Sequence, residues 1–241
     1  MSTQPSAPDG GVGAHPAGPA LVATFDRLLA PSTVNTGTFV VRSGVVGVFG
    51  GVRYDPVRRS VSFLPDARAF RRALQYEFFV APTVRAWDGA RLAAPVTVRF
   101  VPGALETVPP APTVSLARDV APLLAARCAT ASCHGGATPV MGLDLSSAAA
   151  LRRTTIRVTA RERPAAGPAT TTSADPAWGA LDRVDPGFAM GQGRPEYSYL
   201  VYKLLGDGPV VGARMPPEGA PLTQDEMARV SDWIAAGAPD N

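Results

Sequence analysis

The sequence predicts two domains, an all-β sandwich followed by a mostly α-helical domain. Three observations carry that expectation. Between Ala20 and Phe100 short apolar runs alternate with period two; four prolines fall between Val101 and Thr113; and beyond Thr113 the apolar period becomes 3.6. The boundaries this gives are 1–101 for the sandwich, 102–113 for a Pro-rich linker and 114–241 for the helical domain.

At 241 residues the chain is long enough for each part to bury a core of its own. Its 46% hydrophobic and 18% charged residues are those of a globular protein, while 24 Gly and 25 Pro favour turns, short strands and loops over a helical bundle. The net charge is +3, and every basic residue except Lys203 is Arg. Neither part carries a basic stripe, which argues against a nucleic-acid partner. No apolar run reaches the 18 residues needed to span a membrane. "MSTQPSAPDGGVGAHPAGPA" lacks the basic and apolar regions of a secretion signal.

The strands are read from "ALVATF", "GTFVVR", "SVSFL", "QYEFFV" and "VTVRF", each rich in Val, Phe, Tyr or Thr. In the last, Val96, Val98 and Phe100 share one face and Thr97 and Arg99 the other. Asp26, Asp55 and Asp88 sit in turn-like sequence, where a carboxylate caps backbone donors more readily than it gathers calcium. His15, in "GAHPAG", reads as a surface-loop histidine.

The segments "FDRLLAPSTVNTGTFVVR", "GVRYDPVRRSVSFLPDARAFRRALQYEFFV" and "WDGARLAAPVTVRF", in this order over roughly residues 6 to 101, resemble the bacterial Ig-like domain of S-layer and other surface proteins (SbsA Ig-like). The resemblance implies an Ig-like sandwich serving as spacer or adhesion module, without catalytic residues. It also implies a strand ahead of "SAPDGGVGAHPAGPA" that is missing here, hence a start placed too far downstream or a fragment.

In the second part Ser115 is a predicted N-cap for "LARDVAPLLAARC", with Leu116, Val120, Leu123 and Leu124 on one side and Pro122 delaying or bending the helix. A helix is predicted from Pro195 to Leu204, closed by Gly206. Another follows a Thr223/Glu226 capping box, with Met227, Val230, Trp233 and Ile234 as its apolar face and Gly237 and Pro239 as its stop.

"CATASCHGG" holds both cysteines, Cys128 and Cys133, and His134 directly after the second. A disulfide between them would close a very short loop and stabilise little. Zinc wants four ligands, and no second cluster is present. A c-type haem uses two thiols as thioether anchors and the following histidine as iron ligand. Its usual spacing is C-x-x-C-H; here it is C-x4-C-H, with only the small residues Ala129 to Ser132 in between. A sixth ligand is available in Met215, on the stiff "RMPPEG" loop ahead of Thr223, and Met/His ligation raises a haem's reduction potential. Met190 is a competing thioether within the Thr-, Pro- and Gly-rich insertion 154–193, and Trp178 there could cover a haem edge or pin the loop.

"ARDVAPLLAARCATASCHGG", "MGLDLSS", "RPEYSYLVYKLLG" and "MPPEGAPLTQDEMARVSDWIAAGAP", in this order over about residues 114 to 239, resemble the cytochrome c domains of the planctomycete type. The resemblance implies a cytochrome c-like fold with one covalently bound haem c, thioether links at Cys128 and Cys133, His134 as proximal ligand and Met215 as distal ligand. The function then expected is single-electron transfer or redox sensing by an electron carrier rather than an enzyme. Covalent haem attachment takes place outside the cytoplasm, so the expected location is the periplasm or cell surface. The redox partner is not specified by the sequence. Two other readings stay open: a structural surface protein with a Cys128–Cys133 disulfide and no cofactor, and a Cu(I) module using Cys, His and Met.

Overall fold

A computed structural model of the chain describes residues 3–4, 14–15, 18–66, 69–71, 73–102, 113–162, 181–188, 192–208 and 210–241. The chain divides into two compact units, Met1–Pro112 and Thr113–Asn241. The expected linker lies outside the described residues except at its two ends, and so do Trp178 and Met190.

The first unit is built from strands β1 (Thr3–Gln4), β2 (Ala14–His15), β3 (Gly18–Pro19), β4 (Leu21–Phe25), β5 (Phe39–Ser43), β6 (Val46–Gly47), β7 (Gly50–Asp55), β8 (Ser60–Pro65), β9 (Tyr76–Val80) and β10 (Val96–Phe100). They form two four-stranded sheets, β1-β4-β8-β7 and β10-β9-β5-β6, and a small β2-β3 ribbon, with every pair antiparallel. Alternate residues of both large sheets enter one core: Ala23 and Phe25 from β4, Phe39 and Val41 from β5, Val61 and Phe63 from β8, Tyr76 and Phe78 from β9. Phe25 and Phe39 meet edge to face across it, with ring centroids 6.1 Å apart. Each such ring contributes about 1.5–3 kcal/mol by leaving water.

Asp55 and Asp88 do cap turns. Asp55 accepts from the amides of Val57 and Arg58, and Asp88 from that of Ala90. His15 lies in the β2-β3 ribbon rather than in a loop. The strand β7, "GGVRYD", was not among the predicted runs, because its two leading glycines mask an alternation that begins only at Val52.

The second unit opens with a π-helical turn, Leu116–Val120, that runs into α1 (Ala121–Cys128) with Pro122 in its first turn. Wider winding there is where Pro122, which has no amide to donate, is accommodated. Then come α2 (Ala148–Thr155), α3 (Tyr199–Leu205) and α4 (Gln224–Ala235). The predicted Pro195–Leu204 helix is broken at Ser198, whose extended backbone separates a 3-10 turn, Pro195–Tyr197, from α3. Gly206 closes α3 in the left-handed conformation with φ 68°. The Thr223/Glu226 capping box is formed in full, and Val230, Trp233 and Ile234 are buried with Met227 half-buried beside them. The ends of the unit meet: the Asn241 carbonyl accepts from the Ser115 hydroxyl at 2.6 Å and the Ala117 amide at 3.0 Å, while its side-chain oxygen accepts from the Leu116 amide at 2.9 Å.

The expected fold class, an all-β Ig-like sandwich without its first strand plus a mostly α cytochrome c-like domain, is therefore corrected. Among the described residues the chain is a mixed α/β structure with two four-stranded antiparallel sheets, the β2-β3 ribbon and four α-helices. Thr3–Gln4 pairs with Phe25 and Thr24 on the edge of β4. Among its described residues the second unit is not mostly helical either. Its α-helices are only eight, eight, seven and twelve residues long. Proline and glycine at positions 122, 195, 206 and 237 keep them short.

Candidate cofactor site

Cys128 is the last residue of α1 and is buried; its side chain points into the unit because it continues the face of Leu124. The chain then makes a tight loop. The Cys133 amide donates to the Thr130 carbonyl at 3.0 Å, the Gly135 amide to the same carbonyl at 3.1 Å, and the His134 amide to the Cys128 carbonyl at 3.1 Å. Gly135 is required here by space, since a Cβ on it would overlap the backbone of Ala129. Beyond the loop the Val140 amide donates to the Cys133 carbonyl at 2.8 Å and the Leu145 amide to the His134 carbonyl at 2.8 Å, so both sides of the Cys133–His134 pair are fixed by backbone bonds.

A cleft of about 90 Å³, partly open to solvent, is lined by Cys128, His134 and Met215 together with mainly apolar side chains including Leu143, Leu145, Leu200 and Leu204. Three of the four predicted site residues thus share one cavity. The fourth, Cys133, is half-buried and does not line it; its sulfur lies 3.8 Å from the Ser132 hydroxyl. Both thiols are free.

Electrostatics favour neutral donors on this surface. Burial raises the Cys128 thiol to about 11, so it keeps its proton at neutral pH. Burial also lowers the His134 pKa from its ordinary 6.5, against the opposing influence of backbone groups at Val140 and Leu143. The His134 Nδ1 atom is buried and makes no hydrogen bond. Among the described residues no group of three His, Cys, Asp or Glu could hold a metal ion by itself.

The structure adds residues that the sequence did not single out. Met141, exposed and on a turn with φ 57°, also lines the cleft, which gives it two thioethers. Arg161, Arg183, Glu162, Tyr199 and Lys203 line it too. Arg183 is reached through bridges inside the supposed insertion, Ile156 to Val184 and Thr159 to Asp182, and its guanidinium holds the carbonyls of Met141, Gly142 and Thr154. Of these, only the Tyr199–Lys203 spacing on a helix was a readable signal. No helix among the described residues is long and apolar enough to cross a membrane. No family model matches the chain, and a search of curated proteins finds no match.

Proposed function

We propose that the Thr113–Asn241 unit binds one haem covalently, through thioether links at Cys128 and Cys133 with His134 and Met215 as iron ligands, and that the chain is an electron carrier outside the cytoplasm. The observation that carries this reading is the meeting of Cys128, His134 and Met215 on one largely apolar cleft. Bound there, the haem would supply an iron that gains and loses single electrons.

The donor set fits that group. His134 favours its neutral form, the form that ligates metal. Cys128 retains the hydrogen that addition of a thiol across a vinyl group places on the neighbouring carbon, so attachment needs no oxidant. The walls from Leu143, Leu145, Leu200 and Leu204 are apolar, while Arg161 and Arg183 bring positive charge to the same cleft for acidic substituents. The Cys133 side chain has to turn toward the cleft for the second link.

The deciding experiment is a visible absorption spectrum of the chain after export to a periplasm with haem-maturation machinery. A c-type spectrum that persists after acid–acetone extraction is expected. A colourless protein, or haem removed wholly by the extraction, would refute covalent binding.

A further inference from the structure

We infer that Lys203 is the positioning residue for Met215, fastening residues 211 to 215 to α3 so that the methionine stays on the cleft. The inference rests on reading Met215 as an iron ligand, although the clasp itself is independent of that reading. Lys203 is the only lysine in the chain and is 8% exposed. A buried ammonium is tolerated where its donors are met. Here three acceptors surround it: the carbonyls of Val211 at 2.6 Å and Ala213 at 3.0 Å, and the Glu162 carboxylate at 3.3 Å.

The backbone of the same residue completes the attachment, because the Met215 amide donates to the Lys203 carbonyl at 2.9 Å. One helical turn earlier the Tyr199 hydroxyl accepts from the Val211 amide at 3.0 Å. Tyr199 and Lys203 are four apart on α3 and share a face, so Val211, Ala213 and Met215 are all tied to one side of one helix. Val211, Gly212 and Ala213 are exposed, so no buried side chain anchors them. Polar bonds to α3 do what burial does elsewhere, and Lys203 makes most of them. The stem of Arg214 lies against Gly206, where a Cβ would come within 2.7 Å of it, which brings the loop close to the end of the helix.

The test uses the full chain and the variants Lys203→Leu and Lys203→Arg. Without cofactor, Lys203→Leu should speed amide hydrogen exchange of the 211–215 segment about tenfold while leaving α4 unchanged. With haem attached, Lys203→Leu should keep the covalent group yet lose the sulfur-to-iron charge-transfer band and admit carbon monoxide, and Lys203→Arg should restore part of the band. Unchanged exchange and an unchanged band in Lys203→Leu would overturn the inference, as would exchange that rises equally in α1 and α4. Should Lys203→Leu fail to fold, acetic anhydride labelling of the wild-type chain decides: its single lysine should react far more slowly folded than in urea, and equal rates would overturn the clasp. If the wild type takes up no haem, the proposed function falls, and the exchange and labelling results still decide the clasp by themselves.

Discussion

The His134 amide donates to the carbonyl of Cys128 at 3.1 Å, closing the loop that separates the two thiols. The imidazole is thereby placed by the end of α1, however the four intervening residues are arranged. A spacing two residues longer than the usual one leaves the relation between Cys128 and His134 under backbone control, while the Cys133 side chain lies off the cleft.

Unequal roles for the thiols follow. Replacing Cys128 with Ala should abolish most haem retention, because Cys128 is buried on the cleft. Cys133→Ala should leave a single thioether link, read as a mass corresponding to one attached haem and a shifted absorption band. Equal losses in the two variants would contradict this asymmetry.

The cleft has two thioethers, Met215 and Met141. Met215→Ala should lower the reduction potential, remove the weak charge-transfer band of the ferric form and open a site for carbon monoxide. Met141→Ala and Met227→Ala should leave all three unchanged. Loss of the band in Met141→Ala but not in Met215→Ala would reverse the ligand assignment.

Stability of the chain without cofactor should fall on acidification through His134. Its folded pKa lies below 6.5. Above about that pH both folded and unfolded forms are neutral; below it the unfolded chain takes up the proton first, so unfolding gains. Urea midpoints should drop between pH 7.5 and 5.5, and His134→Gln should flatten that part of the curve. An identical slope in the variant would show that other groups set it.

Gly135→Ala should destabilise the second unit by about 1–3 kcal/mol, because its Cβ meets backbone that has to shift. Thr223→Ala should cost about 1 kcal/mol through the lost cap on α4. The first should also impair haem attachment and the second should not, as seen by comparing denaturation with haem content.

A chain covering 113–241 alone should fold and take up haem, since that unit has its own core around Leu116, Leu124, Tyr202 and Trp233. Insolubility of this piece beside a soluble full chain would place the boundary elsewhere.

Much of the local structure was legible in the sequence because single residues decide it. Ser115, Gly206 and the Thr223/Glu226 pair act within one turn of chain, and the alternation in "QYEFFV" and "VTVRF" needs no partner to be read. The fold class was not, because it depends on how far each element continues. Proline and glycine cut the helices of the second unit short, and a two-residue strand at Thr3 carries too few residues to show a period. In the site, chemistry picked Cys128, His134 and Met215, since few residue types can serve. Arg183 and Met141 were invisible because their roles are made by contacts between segments distant in sequence, and Lys203 showed only as its helical spacing from Tyr199.

The bonds between Ser115, Leu116, Ala117 and Asn241 bring both chain ends of the second unit to one place. A pull along the polypeptide would load those bonds first, in shear, and the segment from Cys128 to Met215 would bear no tension until they gave way. The candidate ligand set is thus shielded from tension applied between the two ends of this unit.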